Sequence, residues 1–217
     1  MVAVRVEMVA DVVCPFCYIG WKHLRDAVEK STEMGLPVTI TTTYTPFILR
    51  RHLPKQGVDK VSVFTKMLGS EAQAYAKLNG IKQAAESAGL CFDTTGQRSG
   101  NSEDAHRLIL WARRSGKELE LFESMVKAYN CERGWLGDHD VLAKCAASVG
   151  LSEVDARQVL ADQHEASDDL ENGLKRSEKM GVSGVPFFVI NDSKVIPGSV
   201  PADSFLQIFQ AAADGRL

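Results

Sequence analysis

Apolar and charged residues alternate over Val4-Arg5-Val6-Glu7-Met8-Val9-Ala10, and beyond Asp11 the chain stays apolar through Val12-Val13. A period of two predicts a strand, and its continuously apolar end predicts a central place in a sheet. After Cys14 the period changes. Ile19, Leu24, Ala27 and Val28 share one helical face up to Met34-Gly35, and Pro15 suits the first turn of that helix, where a missing N–H costs nothing. Val38-Thr39-Ile40-Thr41-Thr42-Thr43-Tyr44 is dense in β-branched residues and predicts a second strand. The opening therefore reads β-α-β, with Cys14 and Cys17 at the strand-to-helix junction.

From Val58 to Lys179 the pattern is helical almost throughout. Asn101-Ser102-Glu103-Asp104 resembles a helix start, with Ala105, Leu108, Ile109 and Ala112 on one face. Ser152 offers another cap, and Gly89, Gly116, Gly137 and Gly150 punctuate the segments. Strands return with Val185–Ile190, a turn at Asn191-Asp192, and Lys194-Val195-Ile196. Pro201-Ala202-Asp203 opens a last helix with Phe205, Leu206, Ile208 and Phe209 on its apolar face. The expected fold class is α/β: a thioredoxin-like fold with an inserted all-helical domain. Residues 1–50 and 181–217 would form the discontinuous thioredoxin-like domain, and 51–180 the insertion.

Composition narrows the function without naming it. The chain has 217 residues, 45% hydrophobic and 24% charged, and a formal net charge of -3, ordinary values for a globular protein. Arg50-Arg51 and Arg113-Arg114 are the densest basic spots, read as solvated faces, so no nucleic-acid partner is expected. No apolar run approaches the roughly 18 residues of a membrane span. The N-terminus lacks a basic region followed by a long apolar stretch. A cytoplasmic protein is expected, although removal of a leader would leave the same N-terminus. Five cysteines, an odd number and mostly scattered, make a poor extracellular disulfide framework. Cys145 lies in an apolar helical pattern and reads as an inert buried thiol; Cys91 and Cys131 are also taken as structural.

Cys14-Pro15-Phe16-Cys17 carries the chemistry. Thiol–disulfide exchange needs a thiolate, and a helix N-terminus, with its unpaired N–H groups, favours an anion. Cys14 holds that position and is assigned as the attacking sulfur. Cys17, one turn further in, would resolve the mixed disulfide. Zinc would require a second close pair of ligands, and His23 stands alone near the motif, so no metal is expected. Phe16 stands where a basic or polar residue could help hold a thiolate, so the helix terminus would have to supply most of the support. The pair should then be less strongly oxidising than one with His at that position. Asp11 reads as a polar strand end within the active-site environment, with a direct proton-transfer role ranked below that.

Asp11-Val12-Val13-Cys14-Pro15-Phe16-Cys17-Tyr18-Ile19-Gly20 resembles the active-site segment of the DsbA-like thioredoxin family, in particular its FrnE-like branch. Asn101-Ser102-Glu103-Asp104-Ala105-His106-Arg107-Leu108 resembles the signature of that family's helical domain. Gly181-Val182-Ser183-Gly184-Val185-Pro186-Phe187-Phe188-Val189 is similar to its cis-proline strand. The resemblance implies that Pro186 is cis and lies against the Cys pair. It also implies that the backbone of Val185 binds an extended peptide or glutathione, and that the helical domain covers the site. His106 and Arg107 are not read as catalytic. Related glutathione-dependent transferases and isomerases generally carry Ser in place of Cys14 and lack the second Cys.

The expected activity is thiol–disulfide exchange on protein or glutathione disulfides, with no cofactor required and glutathione as a conceivable co-substrate. Two alternatives stand beside it. One is a glutathione-dependent isomerase or transferase. The other is a redox-sensing or chaperone-like module binding through an apolar groove at Phe16, Trp21 and Pro186, although core packing suits Tyr18 and Trp21 better.

Overall fold

A computed structural model describes all residues, Met1–Leu217. In chain order the elements are β1 (Val2–Ala10), α1 (Pro15–Glu33), β2 (Val38–Pro46), β3 (Val58–Asp59), α2 (Lys60–Leu68), α3 (Glu71–Ser87) and β4 (Arg98–Ser99). Then follow α4 (Glu103–Ala112), a one-turn 3-10 helix (Arg113–Ser115), α5 (Glu118–Cys131), α6 (His139–Ser148), α7 (Glu153–Ala161) and α8 (Ser167–Lys179). The chain closes with β5 (Phe187–Ile190), β6 (Lys194–Pro197) and α9 (Ala202–Ala213).

Local chemistry accounts for most boundaries. α1 starts with Pro15 in its first turn, and the chain leaves it through Gly35 at φ +64°, a left-handed conformation that favours glycine. Ser152 Oγ accepts the Asp155 N–H at 3.1 Å and caps α7. Asn191 and Asp192 both take positive φ and turn β5 back into β6. At α4 the cap differs from expectation. Asn101 Oδ1 accepts the Glu103 N–H at 2.8 Å, while the Ser102 hydroxyl caps nothing.

The main sheet has the order β2-β1-β5-β6. β1 and β2 run parallel, Val2 opposite Val38 through Ala10 opposite Pro46; β1 and β5 run antiparallel, as do β5 and β6. β1 is central, which is why its second half is buried and apolar. α1 and α9 pack together, and Phe188 meets Phe205 edge-on at 5.0 Å between them and the sheet. The largest hydrophobic cluster continues from the sheet into α4, α5, α6 and α7. A smaller cluster of Ile19, Leu78, Ile81, Ala85 and Phe92 joins α3 to α1, and Phe16 packs against it.

Two expectations are corrected. The stretch read as all-helical contains a two-stranded ribbon, with Val58 opposite Ser99 and Asp59 opposite Arg98; such short strands carry no periodic signal. The scattered cysteines, read as a poor disulfide framework, nonetheless include one bridge: Cys91 and Cys131, taken as structural, form a disulfide with a Cα–Cα distance of 5.4 Å across 40 positions. It joins the segment after α3 to the end of α5, a neighbourhood set by packing rather than by spacing.

Charged side chains tie the helices to the sheet. Arg176 on α8 makes two bonds of 2.6 Å to the Glu7 carboxylate on β1, and the Thr45 hydroxyl donates a third. Burial pushes the Glu7 carboxyl up, but Arg176 and Thr45 outweigh it and leave the group below its usual value. No helix is long and apolar enough to cross a membrane.

Candidate active site

β1 ends in a tight turn in which the Cys14 N–H reaches the Asp11 carbonyl at 3.1 Å. Cys14 is therefore the N-cap of α1, in extended conformation. Its carbonyl accepts the Cys17 N–H at 3.0 Å, which opens the helix. Pro15 has no N–H to donate, and the Phe16 N–H has no partner within the chain, so the first turn presents positive dipole density at the sulfur.

Both thiols are free: Cys14 is 4% exposed, and Cys17 is fully buried. Burial, then the hydrogen bond and charge of Cys14, push the Cys17 thiol well above its ordinary value. Cys17 therefore keeps its proton, and Cys14 is the sulfur within reach of a partner. The Cys14 thiol donates to the carbonyl of Val185 at 3.6 Å. Val185 and Pro186, joined by a cis peptide bond, lead into β5. The Val185 N–H donates to no group of the chain.

Close approach of β5 to α1 depends on Gly20. A Cβ built there would come within 3.0 Å of Pro186 Cγ and 3.2 Å of Phe188 Cζ. Gly20→Val should therefore push Pro186 away from the thiols and cost about 1–3 kcal/mol of stability as overpacking. Denaturant midpoints and exchange rates would show both effects, and an unchanged midpoint would mean that the strand yields freely.

Beneath the pair lies a buried polar chain. The Asp11 carboxylate accepts the N–H groups of Val13 at 3.3 Å and Leu49 at 2.8 Å and contacts His106 Nε2 at 3.2 Å. His106 Nδ1 lies 2.6 Å from the Tyr44 hydroxyl. Burial, then the charges of Asp11 and Cys17, push the Tyr44 phenol well above its ordinary value. The phenol thus keeps its proton, and the Ala10 carbonyl, at 3.3 Å, stands as an acceptor for it beside His106 Nδ1. Asp11 is thus the centre of a network drawing on β1, β2, α4 and the segment after β2. His106 is buried with no solvent contact and touches the site through Asp11 alone.

Other residues fall elsewhere. Trp21, placed in a groove beside Pro186 only under the binding-module alternative, is packed in the core, edge-on to Phe122 at 6.3 Å, with its indole N–H donated to Glu123 at 3.1 Å. His23 contacts the Val200 carbonyl through Nδ1 at 2.8 Å. Arg107 is buried and binds carbonyls and Asp104 within the helical part. One buried charge carries no sequence signal at all: Lys60, the first residue of α2, is 3% exposed.

The DSBA-like thioredoxin domain family matches residues 5–210. A probable DsbA oxidoreductase from Streptomyces coelicolor superposes with a TM-score of 0.89 at 27% identity, over 99% of this chain and 92% of its own. The Bacillus subtilis protein YwbO is 27% identical over 204 residues, 93% of this chain and 94% of its own. The cytosolic disulfide reductase DsbM of Pseudomonas aeruginosa, solved with GSH, shares the fold with a TM-score of 0.62 at 14% identity, over 97% of this chain and 96% of its own. The match over nearly the whole length, with the CxxC pair at the head of α1 and the proline before β5, establishes that this chain belongs to the DSBA-like thioredoxin domain family.

Proposed function

We propose that this protein is a thiol–disulfide oxidoreductase in which Cys14 attacks and Cys17 resolves. The observation that carries the reading is the asymmetry of the pair. Cys14 caps a helix and contacts Val185, while Cys17 is fully buried and held as a thiol.

In the reducing direction the Cys14 thiolate attacks one sulfur of a substrate disulfide. The substrate S–S bond breaks, one substrate thiolate leaves, and a mixed disulfide forms at Cys14. Cys17 then attacks the Cys14 sulfur, the second substrate thiolate leaves, and the Cys14–Cys17 disulfide closes; the substrate has gained two electrons and the pair has lost them. Cys17 must lose its proton in that step, and its burial bars water from taking it. The departing substrate thiolate, released at the Cys14 sulfur, is the base that takes it up. The unpaired Val185 N–H would bind the main chain of an extended disulfide substrate in the manner of an added strand. Protein disulfides and glutathione disulfide both fit that contact, and glutathione is proposed as a co-substrate. Cytoplasmic location belongs to the same proposal; the Cys91–Cys131 disulfide weighs against it, because reducing compartments disfavour such bonds.

Equilibration against glutathione buffers of graded potential tests the reading. The pair should cycle between dithiol and disulfide within the range of roughly −120 to −270 mV found for such dithiols. Cys17→Ala should accumulate a mixed disulfide at Cys14, seen as added mass on the peptide containing it. If no Cys14–Cys17 disulfide forms at any potential, the redox mechanism is wrong, and a glutathione-dependent isomerase or transferase becomes the better reading.

A further inference from the structure

The turn that delivers Cys14 to the head of α1 is fixed by Asp11. The Asp11 carbonyl accepts the Cys14 N–H at 3.1 Å. Its carboxyl oxygens accept the Val13 N–H, inside the same turn, at 3.3 Å and the Leu49 N–H, from the segment after β2, at 2.8 Å. Asp11 thus holds the turn with both main chain and side chain, in a place without solvent contact. Two backbone donors leave lone pairs on the carboxyl oxygens to satisfy. The remaining partner, and the only side chain bonded to it, is His106, whose Nε2 stands 3.2 Å from Oδ1. His106 is itself held from several sides. It is fully buried, its Nδ1 lies 2.6 Å from the Tyr44 hydroxyl, and the two rings stack at 6.0 Å with 20° between their planes. The Tyr44 hydroxyl also reaches the carbonyl of Ala10, the residue before Asp11, at 3.3 Å. With both ring nitrogens and one face occupied, the imidazole is locked in one orientation. An apolar residue would fill the same space but leave the Asp11 carboxyl one partner short in a dry interior.

We propose that His106 is a positioning residue for thiol–disulfide exchange: through Asp11 it locks the turn on which the Cys14 sulfur stands. The inference rests on the oxidoreductase reading for the roles of the two sulfurs. Resolution is the step that such a lock governs. Cys17 lies within α1 and is fully buried, so it cannot follow a displaced partner, and the Cys14 sulfur has to be held where Cys17 can reach it. In that step Cys17 attacks the Cys14 sulfur, and the bond from Cys14 to the substrate sulfur breaks. The leaving substrate thiolate takes up the Cys17 proton, and the pair is oxidised as the substrate is reduced. Intramolecular attack of this kind loses rate steeply when the reacting atoms are misplaced. The helical part of the chain, which supplies His106 from α4, thereby sets the geometry of a redox turn 95 positions away.

The test mixes reduced full-length protein with glutathione disulfide and follows the Cys14–glutathione adduct by rapid acid quench and intact mass. In the wild-type protein the adduct should rise and then decay as the Cys14–Cys17 disulfide closes. His106→Leu should slow the decay roughly tenfold. His106→Gln, whose amide can donate or accept at about the reach of Nε2, should restore most of the rate, and His106→Asn, one methylene shorter, should not. Both lose the ring stack with Tyr44, so a histidine with a purely structural role would give two variants whose rates follow their melting temperatures alike. Decay as fast as wild type in His106→Leu, or equally slow decay in His106→Gln and His106→Asn, would overturn the proposal. Should His106→Leu not fold, Tyr44→Phe keeps the ring and removes only the hydroxyl beside Nδ1. It should slow the decay about threefold, the worth of one neutral hydrogen bond, and an unchanged rate there would overturn the proposal equally. A wild-type protein that forms no adduct defeats the oxidoreductase reading and the inference with it; an adduct that decays equally fast in every variant defeats the inference alone.

Discussion

Cys14→Ser should abolish disulfide exchange, lowering turnover by at least about four orders of magnitude, as removal of an attacking nucleophile does elsewhere. Serine keeps the size and the N-cap position, so the fold should survive, but its hydroxyl at the head of α1 is not ionised and cannot displace a thiolate from a disulfide. Cys17 cannot take over. It is fully buried, and burial is the largest cause pushing its thiol up, a cause the substitution leaves in place. Insulin-disulfide reduction or glutathione-disulfide turnover would measure the loss, with thermal melting as a check on folding. The same variant separates the readings: a glutathione-dependent isomerase, whose nucleophile is the bound glutathione sulfur, would retain much of its activity. Residual turnover at a tenth of wild type would exclude Cys14 as the attacking group.

Arg107→Ala should destabilise the protein by about 3–5 kcal/mol, the range for removing one partner of a buried ion pair. At this chain length that corresponds to a melting temperature lower by roughly 10 °C. The guanidinium donates to the carbonyls of Val159, Asp162 and Glu165 and to the Asp104 carboxylate, and so pins α4 to the chain between α7 and α8. Alanine strands those acceptors in a dry interior, and each unsatisfied buried group adds its own cost. Arg107→Lys should recover little, since an ammonium has no planar fork to span acceptors on opposite sides. Because α4 also carries His106 beneath Asp11, a fraction of the loss should appear as slower resolution by Cys17. A variant as stable as the wild type would mean that water replaces the guanidinium in this pocket.

Patterns confined to a few neighbouring positions were legible in the chain before any coordinates. The alternation through β1, the helical face of α1, the β-branched run of β2 and the Asn191-Asp192 turn are all local. They express the two side-chain periods and the turn preferences directly. The Cys14–Cys17 pairing was legible for the same reason, because four consecutive residues at a strand-to-helix junction contain both sulfurs and the helix start.

Contacts between distant segments were decided only by the tertiary structure. Cys91 and Cys131 are separated by 40 positions, and nothing in either neighbourhood names the other; the packing of α5 against the loop after α3 brings them together. Asp11 reads as a polar strand end until His106, 95 residues later, arrives from α4 to share its carboxylate. Trp21 shows the converse, because a residue one helical turn past Cys17 could face the groove or the core, and the position of α5 settles it. Lys60 had no signal, since a lysine at a helix start is ordinarily solvated and only the convergence of Phe92, Gln97 and Tyr129 removes water from it. The physical reason is common to all four. Secondary structure answers to interactions within a few residues, whereas burial, charge pairing and the environment of a sulfur depend on which surfaces the folded chain brings together.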